Sequence, residues 1–498
     1  MNRLRQASVL FLDCQASGPD PVRHHLLEIA WRRCDAGALG APAEYRLRLP
    51  EGVVLPPRVR RLTGLDEALL ADGLTAEAVA HALRQALTGV EALLIHYARF
   101  ERPYLHALLG AELPPLCCTH ELARRMLPGL PGYGLAALAG YFGAFLEQHH
   151  RAAAHVAATA AVFDGLLPLL EAAGIDDWPA LAELLSRARP LPGQRRCYAL
   201  PRERRLALPV APGVYRYLGR DGRVLYVGKA GSLQQRVNSY FRSRRTRQDR
   251  HRELLTQAVD VDVTVCPSAT HAALLECREI QRLDPPCNTA LRPSGRQLAF
   301  LGRDLLRCAA HWSVETSVGP LPGPWLVERW QTLCRALLEG DAAAPLFRRP
   351  VAPAVLQAGI ARFRAELPAA ALCGRRALLA CGLRWLRGAA EELVDETEAA
   401  PPRGETPSVE EVVQRCRDLL VLVARYWQRA RRLARLWQVT VVWEEGGVPQ
   451  QLRLDELAPA PVRGGGWDWS VEAYDLARVL LSELERLQRG GVRVRRQA

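Results

Sequence analysis

Apolar and polar residues follow two different periods along the first third of the chain, and the change of period predicts its elements. Short apolar runs that end in a polar residue, at 8–13 and 92–96, are typical of buried strands. Further strands are expected at 26–33 and 45–49, and helices are expected at 75–87, 98–109, 120–126, 133–142 and 151–170. Strands that alternate with helices predict an α/β domain over residues 1–172, followed by a linker at 173–205.

A second pattern begins after the linker, where two short β-patterned runs, 214–218 and 224–227, flank a polar turn. A turn centred between Arg220 and Asp221 pairs Tyr215 with Tyr226, and a turn at Asp221-Gly222 shifts the register. The sequence does not decide between the two. A helix from Ser232, a strand at 259–265 and a helix that follows Ser268 complete an α+β domain with a small antiparallel sheet, over 206–292.

The remaining residues, 293–498, predict a mostly helical region without a catalytic motif. Helices are expected at 354–365, 369–394, 408–437 and 470–487, with a small hairpin formed by 439–443 and 452–454. We expect this region to dock DNA or a protein partner.

Charge is distributed unevenly along the chain. The net charge is +13, of which residues 193–300 carry +11, whereas residues 1–192 sum to −2. A basic segment of this size favours a polyanionic ligand, most simply nucleic acid. It also holds the only lysine of the chain, Lys229, among 66 basic residues. An ammonium differs from a guanidinium in shape and in how readily its pKa shifts, so the position of Lys229 points to chemistry that needs an amine.

The sequence offers no apolar run of 18 residues and no export signal, so we expect no membrane span. Thirteen cysteines are scattered without a CxxC pair, which favours reduced thiols. These features predict a cytoplasmic, nucleoid-associated protein of bacterial type.

Four segments of the first third stand in the order of the motifs of a known nuclease family: FLDCQASG, IHYARFERPYL, CTHELARRMLPGLPGYGLAALAGYFG and HRAAAHVAATAAVF. They resemble the DnaQ-like DEDD exonucleases of DEDDh type, which implies an RNase H-like exonuclease fold. In that family acidic residues hold two Mg²⁺ ions that stabilise the attacking and leaving oxygens.

The acidic set of that family is incomplete here. Asp13 matches the first acid and His150 matches the general base, but Gln15 and His155 stand where acids are usual, and Glu101 replaces an aspartate. Amide and imidazole groups do not replace carboxylates on Mg²⁺. We therefore predict a degenerate, inactive exonuclease site, with weak residual activity in Mn²⁺ as the competing interpretation.

The second domain carries the segments APGVYRY, LYVGKA, LQQRVNSYF and ALLECREIQRLDPPCN. They resemble the GIY-YIG nuclease domain of UvrC-type excinucleases and of the related Cho protein. The resemblance implies functional roles for the following positions: the motif glycines Gly213 and Gly228, the catalytic residues Tyr215, Tyr226, Lys229, Arg236 and Asn288, and the metal ligand Glu276.

The same resemblance implies how these groups divide the chemistry. Glu276 would hold one Mg²⁺ (or Mn²⁺), Tyr215 would act as the base for the water, and Arg236 with Tyr226 would stabilise the transition state. Lys229 would position the phosphate or tune Tyr215.

A dense basic run lies between 241 and 253, and we predict that it contacts phosphates. Its predicted DNA-binding residues are Arg242, Arg244, Arg245, Arg247 and Arg250.

These observations favour a metal-dependent DNA endonuclease of the nucleotide-excision-repair type, which makes an incision through the GIY-YIG domain. Two alternatives stay open: a non-catalytic DNA-binding scaffold for repair or replication, and a 3′–5′ exonuclease with residual activity. Damaged duplex DNA is the expected substrate, and a damage-recognition protein of the excision-repair system is an expected partner.

Overall fold

The chain divides into two compact units. In the computed structural model the first unit holds Met1–Val265 and Pro285–Cys287, and the second holds Cys266–Asp284 and Asn288–Ala498. The domain boundaries predicted at 172, 205 and 292 stay predictions. The structure describes residues 3–110, 113–146, 151–187, 196–242, 249–292, 296–341, 346–347, 351–388, 407–437, 439–445, 447–457, 462–463, 466–467 and 469–497.

A mixed five-stranded sheet, in the order β3-β2-β1-β4-β5, forms the centre of the first unit. Its strands are β1 (Ser8–Ala16), β2 (Leu26–Asp35), β3 (Ala38–Arg46), β4 (Ala92–Ile95) and β5 (Leu116–Cys118). β1 pairs antiparallel with β2 and parallel with β4. The strand predicted at 45–49 is wrong, because the chain pairs earlier, at the exposed outer edge of the sheet, where no face is buried to impose an apolar alternation.

Helices cover the sheet and continue into the second half of the unit. They are α1 (Arg3–Gln6), α2 (Pro57–Thr63), α3 (Glu67–Ala71), α4 (Ala76–Ala86), α5 (Ala98–Leu109), α6 (Thr119–Met126), α7 (Leu135–Tyr141), α8 (Ala152–Ala172), α9 (Trp178–Ser186), α10 (Arg202–Leu206), α11 (Leu233–Arg242) and α12 (Asp249–Gln257). The predicted α/β domain is therefore confirmed, although helices alternate with strands only from β4 onward and β1, β2 and β3 follow one another directly.

α8 is long and apolar enough to cross a membrane by length and composition alone. Here it is a core helix, since Val156, Phe163 and Leu170 are buried in the same cluster as residues of β1. The buried carboxylate of Glu28 on β2 accepts a hydrogen bond from the amide of Ala152 at 2.9 Å. That bond satisfies a free N–H at the start of the helix and fixes where α8 begins.

A small antiparallel sheet in the order β7-β6-β8 follows in the first unit: β6 (Gly213–Leu218), β7 (Val224–Ala230) and β8 (Asp260–Val265). Tyr217 pairs with Tyr226 and Tyr215 pairs with Gly228, so the register set by Asp221-Gly222 is observed and the direct Tyr215–Tyr226 pair is wrong. Gly222 has a φ of 77°, and the Asp221 carboxylate accepts a hydrogen bond from the Arg223 amide at 3.0 Å. These two features place the turn there.

The hairpin turn contacts the segment around α7 within the first unit. Arg220 Nε donates to the carbonyl of Tyr141 at 2.6 Å, and the guanidinium carbon of Arg223 lies 3.5 Å from the ring centre of Phe145. The amide of Gly132 donates to Thr256 Oγ1 on α12 at 2.9 Å. The small sheet and its helices are thus attached to the first half of the chain by hydrogen bonds and a cation–π contact.

The second unit combines helices with short strands. Its helices are α13 (Ala269–Leu283), α14 (Pro324–Cys334), α15 (Pro353–Glu366), α16 (Arg375–Gly388), α17 (Val409–Leu436) and α18 (Val471–Arg489), with a π turn at Arg335–Glu339 and 3₁₀ turns at Ala369–Cys373 and Leu454–Glu456. Its strands are β9 (Ala299–Leu301), β10 (Cys308–Ala309), β11 (Val318–Leu321), β12 (Thr440–Glu445), β13 (Val448–Leu452), β14 (Val462–Arg463), β15 (Gly466–Trp467) and β16 (Arg495–Gln497).

The single helix predicted at 369–394 is wrong in its first part. Residues 369–373 form a 3₁₀ turn, and Gly374, with a φ of 154°, separates it from α16. A positive φ of this kind is open to glycine and interrupts a helix. The part of the prediction beyond residue 388 lies outside the described residues.

α13 is anchored within the second unit by a buried carboxylate on α18. Asp475 is fully buried, and it accepts a hydrogen bond from Gln281 Nε2 at 2.8 Å and forms an ion pair with Arg296. Leu274 and Cys277 of α13 belong to the same buried cluster as Tyr474 and Leu480. Helix α13 therefore shares its core with the C-terminal helix.

Candidate active site

Four tyrosines gather on one face of the small sheet in the first unit. Tyr215 and Tyr217 on β6 are fully buried, Tyr226 on β7 is half-buried, and Tyr240 on α11 is 9% exposed. The ring centre of Tyr215 lies 6.2 Å from those of both Tyr226 and Tyr240. The hydroxyl oxygens of Tyr215 and Tyr240 are 2.8 Å apart, so the two phenols share a hydrogen bond.

Neighbouring atoms lie so close to the two motif glycines that neither position has room for a side chain. A Cβ atom at Gly228 would stand 2.5 Å from the hydroxyl oxygen of Tyr215 and 2.8 Å from the ring of Tyr226. A Cβ atom at Gly213 would stand 2.2 Å from the carbonyl oxygen of Thr264 on β8. Gly228 therefore makes room for the tyrosine hydroxyl, and Gly213 allows the strands to pair.

Arg236 joins the tyrosine cluster from α11. It is an exposed residue, but its guanidinium carbon lies 5.2 Å from the ring centre of Tyr240, one helical turn further on. Burial lowers the pKa of Arg236, but the neighbouring Tyr215 and Tyr240 raise it above its ordinary value. A cation at this position favours negative charge on neighbouring oxygens.

Burial governs the protonation of the tyrosine cluster. It raises the pKa of Tyr215 well above its ordinary value, and the neighbouring Tyr240 and Tyr226 raise it further. Burial likewise raises the pKa of Tyr217. Both phenols are therefore neutral at neutral pH and act first as hydrogen-bonding groups.

Lys229 is placed differently from the tyrosines. It is half-buried and pairs with Val214, one residue along from the pair of Tyr215 with Gly228. Because side chains alternate between the two faces of a sheet, this register assigns Lys229 to the face opposite Tyr215. The structure thus brings Tyr215, Tyr226 and Arg236 together but does not bring Lys229 onto their face.

Glu276 and Asn288 belong to the second unit. Glu276 lies near the middle of α13 and is half-buried, and Asn288 is 7% exposed. Ser268 caps α13 as predicted, since its hydroxyl accepts a hydrogen bond from the amide of His271 at 3.3 Å.

The donor set at Glu276 fits a hard divalent cation held largely by water. Within the described part of the chain, no group of three or more His, Cys, Asp or Glu side chains could form a protein cage for a metal. Mg²⁺ commonly takes one or two carboxylates and keeps several waters, so a single glutamate suffices as the protein ligand.

The predicted DNA-contacting run is described only at its ends. Arg242 ends α11 and Arg250 lies in α12, and both are exposed. Arg244, Arg245 and Arg247 lie outside the described residues.

In the exonuclease-like site, the side chains at the expected metal-ligand positions contact one another. Asp13 Oδ1 lies 3.2 Å from His155 Nδ1, and Asp13 Oδ2 accepts a hydrogen bond from Gln15 Nε2 at 3.2 Å. Gln15 Nε2 is in turn 3.4 Å from His155 Nδ1. His150 lies outside the described residues.

Glu101 completes this site from α5. It is 3% exposed, and burial followed by the nearby Asp13 raises its pKa well above the ordinary range. Glu101 and an Asp13 already engaged by Gln15 and His155 are the only carboxylates at the matched positions, and two carboxylates do not fit a pair of Mg²⁺ ions.

The sequence did not predict Tyr240 as a site residue. Two signals pointed to it. It follows Arg236 by four residues on one helix, which makes the two side chains neighbours, and a buried tyrosine hydroxyl needs a hydrogen-bond partner.

Two family models match separate parts of the chain. Residues 10–163 match the exonuclease family, and residues 211–289 match the UvrC-like GIY-YIG domain.

Two curated relatives are similar to part of this chain. A putative bifunctional exonuclease/endonuclease protein of Mycobacterium tuberculosis is 32% identical over 303 residues, covering 57% of this chain and 45% of the relative. The UvrABC system protein C of Aromatoleum aromaticum is 32% identical over 255 residues, covering 48% of this chain and 42% of the relative. The chain thus spans less than half the length of either relative.

Among solved structures, the GIY-YIG N-terminal endonuclease domain of UvrC from Thermotoga maritima is 27% identical and covers 18% of this chain and 94% of that one, with a TM-score of 0.16. From the matches to the family models, residues 10–163 form an exonuclease-type domain with an RNase H-like fold and residues 211–289 form a UvrC-like GIY-YIG domain.

Proposed function

We propose that this chain is a metal-dependent DNA endonuclease of the nucleotide-excision-repair type, and that it incises one strand through its GIY-YIG domain. The observation that carries the proposal is the hydrogen-bonded pair of Tyr215 and Tyr240 with Arg236 beside it. This cluster is assembled from a strand and a helix, whereas the exonuclease-like site is closed by its own hydrogen bonds.

The chemistry of the residues agrees with phosphodiester hydrolysis. Glu276 would hold one Mg²⁺ or Mn²⁺ ion, which supplies Lewis-acid polarisation of a phosphate oxygen. Tyr215 would act as the base for the attacking water, and Arg236 with Tyr226 would stabilise the negative charge that develops on phosphate oxygens. Asn288 would position the phosphate. The phosphate-positioning role of Lys229 stays a prediction, because the strand register assigns Lys229 to the face of the sheet opposite Tyr215.

The raised pKa of Tyr215 limits how it can act. A neutral phenol cannot take a proton from water until it has lost its own. Tyr215 would become a general base only with a further cation nearby, because its pKa is raised although Arg236 is already close to it. The proposed base role therefore depends on the divalent cation as well as on Arg236.

We assign the exonuclease-like domain a scaffolding role. The contact between His155 and Asp13 places an imidazole where a metal-dependent exonuclease needs a carboxylate. The hairpin turn of the endonuclease domain rests on this domain through Arg220 and Arg223. A 3′–5′ exonuclease with residual Mn²⁺ activity is the second candidate function, because Asp13 and Glu101 are retained.

Damaged duplex DNA is the proposed substrate, with a damage-recognition protein of the excision-repair system as the proposed partner and the nucleoid as the place of action. The charge of +11 over residues 193–300 supports contact with a polyanion.

Two variants, compared with the wild type, test the proposal against its alternatives. Nicking of damaged and undamaged duplexes and 3′ resection are measured in Mg²⁺ and Mn²⁺ for the wild type, Glu276→Ala and Asp13→Ala. Loss of nicking in Glu276→Ala alone supports the endonuclease. Resection that disappears in Asp13→Ala supports the exonuclease. If the wild type binds DNA but cuts it with neither metal, the protein is a non-catalytic DNA-binding scaffold.

A further inference from the structure

A half-open cleft of about 940 Å³ lies beside α14 in the second unit. Four arginines, two glutamates and two aromatic side chains contribute to its lining. The residues that define this α14 cleft are Trp325, Phe347, Arg329, Arg335, Arg375 and Arg415. Its volume is in the range of sites that enclose a small organic ligand.

Trp325 is a large aromatic side chain that is partly exposed to solvent. The ring is 39% exposed, and its centre lies 5.8 Å from the ring centre of Tyr426, at an angle of 87° between the rings. The guanidinium carbon of Arg329 lies 5.2 Å from the ring centre of Trp325. An exposed indole held by two neighbours offers a rigid aromatic surface to a planar ligand.

The arginines of the cleft are held in place. Arg375 forms an ion pair with Glu339 at 3.1 Å, and Arg415 Nε donates to the carbonyl of Leu346 at 3.3 Å. Both arginines are half-buried. Two guanidinium groups that are fixed by contacts with the protein present charged hydrogen-bond donors to an anionic ligand.

The charge of the lining selects the class of ligand. Arginines outnumber the two glutamates, Glu328 and Glu339, by two, so the cleft is cationic. A purely apolar ligand would leave these guanidinium groups desolvated, and an inorganic anion would not use the aromatic surface. A nucleotide supplies both partners, because its base stacks on aromatic rings and its phosphate binds arginine.

We propose that the α14 cleft binds a nucleotide of single-stranded nucleic acid, with the base stacked on Trp325 and the phosphates held by Arg329, Arg375 and Arg415. This site lies outside residues 211–289, and its binding does not depend on incision. Its failure and the failure of the proposed endonuclease are therefore distinguishable.

The test uses the full chain in EDTA, so that binding is measured without cleavage. Fluorescence anisotropy follows a labelled oligothymidylate of about ten nucleotides, which is within the usual site size for single strands. Trp325→Ala is expected to weaken binding on the order of tenfold, the scale of one lost base–aromatic stack. Trp325→Phe keeps an aromatic ring and should stay close to the wild type.

A matched control separates a specific site from general charge. Arg329→Gln and Arg431→Gln each remove one positive charge, and Arg431 is an exposed residue of α17 outside the cleft lining. Arg329→Gln should weaken binding of the single strand clearly more than Arg431→Gln. Thermal unfolding confirms that each variant is folded, and if Trp325→Ala fails to fold, the comparison of the two arginine variants decides.

Two further probes identify the source of the nucleotide. Competition by deoxythymidine monophosphate that depends on Trp325 would indicate a free nucleotide, and competition by the oligonucleotide alone would indicate a strand. A fully paired duplex should be insensitive to Trp325→Ala. The proposal is overturned if Trp325→Ala binds the single strand like the wild type, or if Arg329→Gln weakens it no more than Arg431→Gln.

Discussion

The hydroxyl groups of Tyr215 and Tyr240 lie 2.8 Å apart and join strand β6 to helix α11. The bond is buried, and the guanidinium group of Arg236 is close to both tyrosines. A hydrogen bond between a strand and a helix fixes the phenol of Tyr215 in direction as well as in place, which is what a group that orients water requires.

Removal of the Tyr240 hydroxyl is expected to slow nicking while the fold persists. Tyr240→Phe keeps the ring but deletes the partner of Tyr215, and the loss of one neutral hydrogen bond corresponds to a rate about tenfold lower. Single-turnover nicking in saturating Mg²⁺ measures the effect. Tyr217→Phe is the control, because the Tyr217 hydroxyl has no hydrogen-bond partner in the described part of the chain. Equal rates for the wild type and Tyr240→Phe would refute a role for the pair.

A methyl group at position 228 should displace the hydroxyl of Tyr215. Gly228→Ala introduces a Cβ atom 2.5 Å from that oxygen, well inside contact distance, so the phenol has to move. We expect nicking to fall by about 100-fold, as for a misplacement of about 1 Å in a catalytic group. Gly231→Ala is the matched control, since a Cβ there meets no atom within 4 Å. Retained nicking in Gly228→Ala would contradict the proposed position of Tyr215.

The buried phenols should make the protein unstable in alkali. Tyr215 and Tyr217 have pKa values raised by burial, so the unfolded chain loses their protons first, near pH 10, and stability falls as pH rises above that value. Each tyrosine lowers the free energy of unfolding by about 1.4 kcal/mol per pH unit. Urea unfolding between pH 8 and 11 measures this free energy.

In Tyr217→Phe the free energy of unfolding is expected to fall less steeply with pH, because one of the two buried phenols is gone. The substitution should also raise the free energy of unfolding at pH 8 by about 1 kcal/mol, because it removes a buried hydroxyl that lacks a partner. A steeper alkaline slope or a lower stability in this variant would contradict the assignment.

Two substitutions should turn the exonuclease-like site into a metal site. Gln15→Glu with His155→Asp removes the side chains that engage Asp13 and adds two carboxylates next to it. Without metal the four acids repel one another, so we expect a lower melting temperature that recovers in Mg²⁺ or Mn²⁺. At a metal concentration 100 times the Kd, the bound metal raises the free energy of unfolding by about 2.7 kcal/mol.

The wild type supplies the comparison for this restored site. Its melting temperature should not respond to metal through the Asp13 site, and the double variant should gain 3′ resection. Metal-independent melting of the double variant would mean that the surrounding site cannot accept the ions.

The pattern of apolar residues predicted well the elements that are buried in the core. The strand at 92–96 and the helix at 98–109 appear as β4 and α5 within a residue. The edge strand β3 and the 3₁₀ turn at 369–373 were missed, because an exposed edge has no apolar alternation and the turn depends on the backbone of Gly374.

The sequence predicted which residues form the candidate site better than it predicted how they are arranged. The motifs named Tyr215, Tyr226 and Arg236, which the structure brings together. The register of the hairpin was open, because an alternating pattern tolerates a shift by two. Tyr240 was hidden, because a tyrosine at an apolar position of a helix looks like any other core residue until its hydroxyl has a partner.

The attachment of α13 to the C-terminal helix limits how the nuclease can be divided. A fragment of residues 206–292 would carry Leu274 and Cys277 without Tyr474 and Leu480, which belong to the same core, and Gln281 without Asp475. Its glutamate-bearing helix would end in an apolar face open to water, so the excised segment should aggregate. We therefore expect the nuclease motif of this chain to need the C-terminal residues in order to fold as a soluble unit.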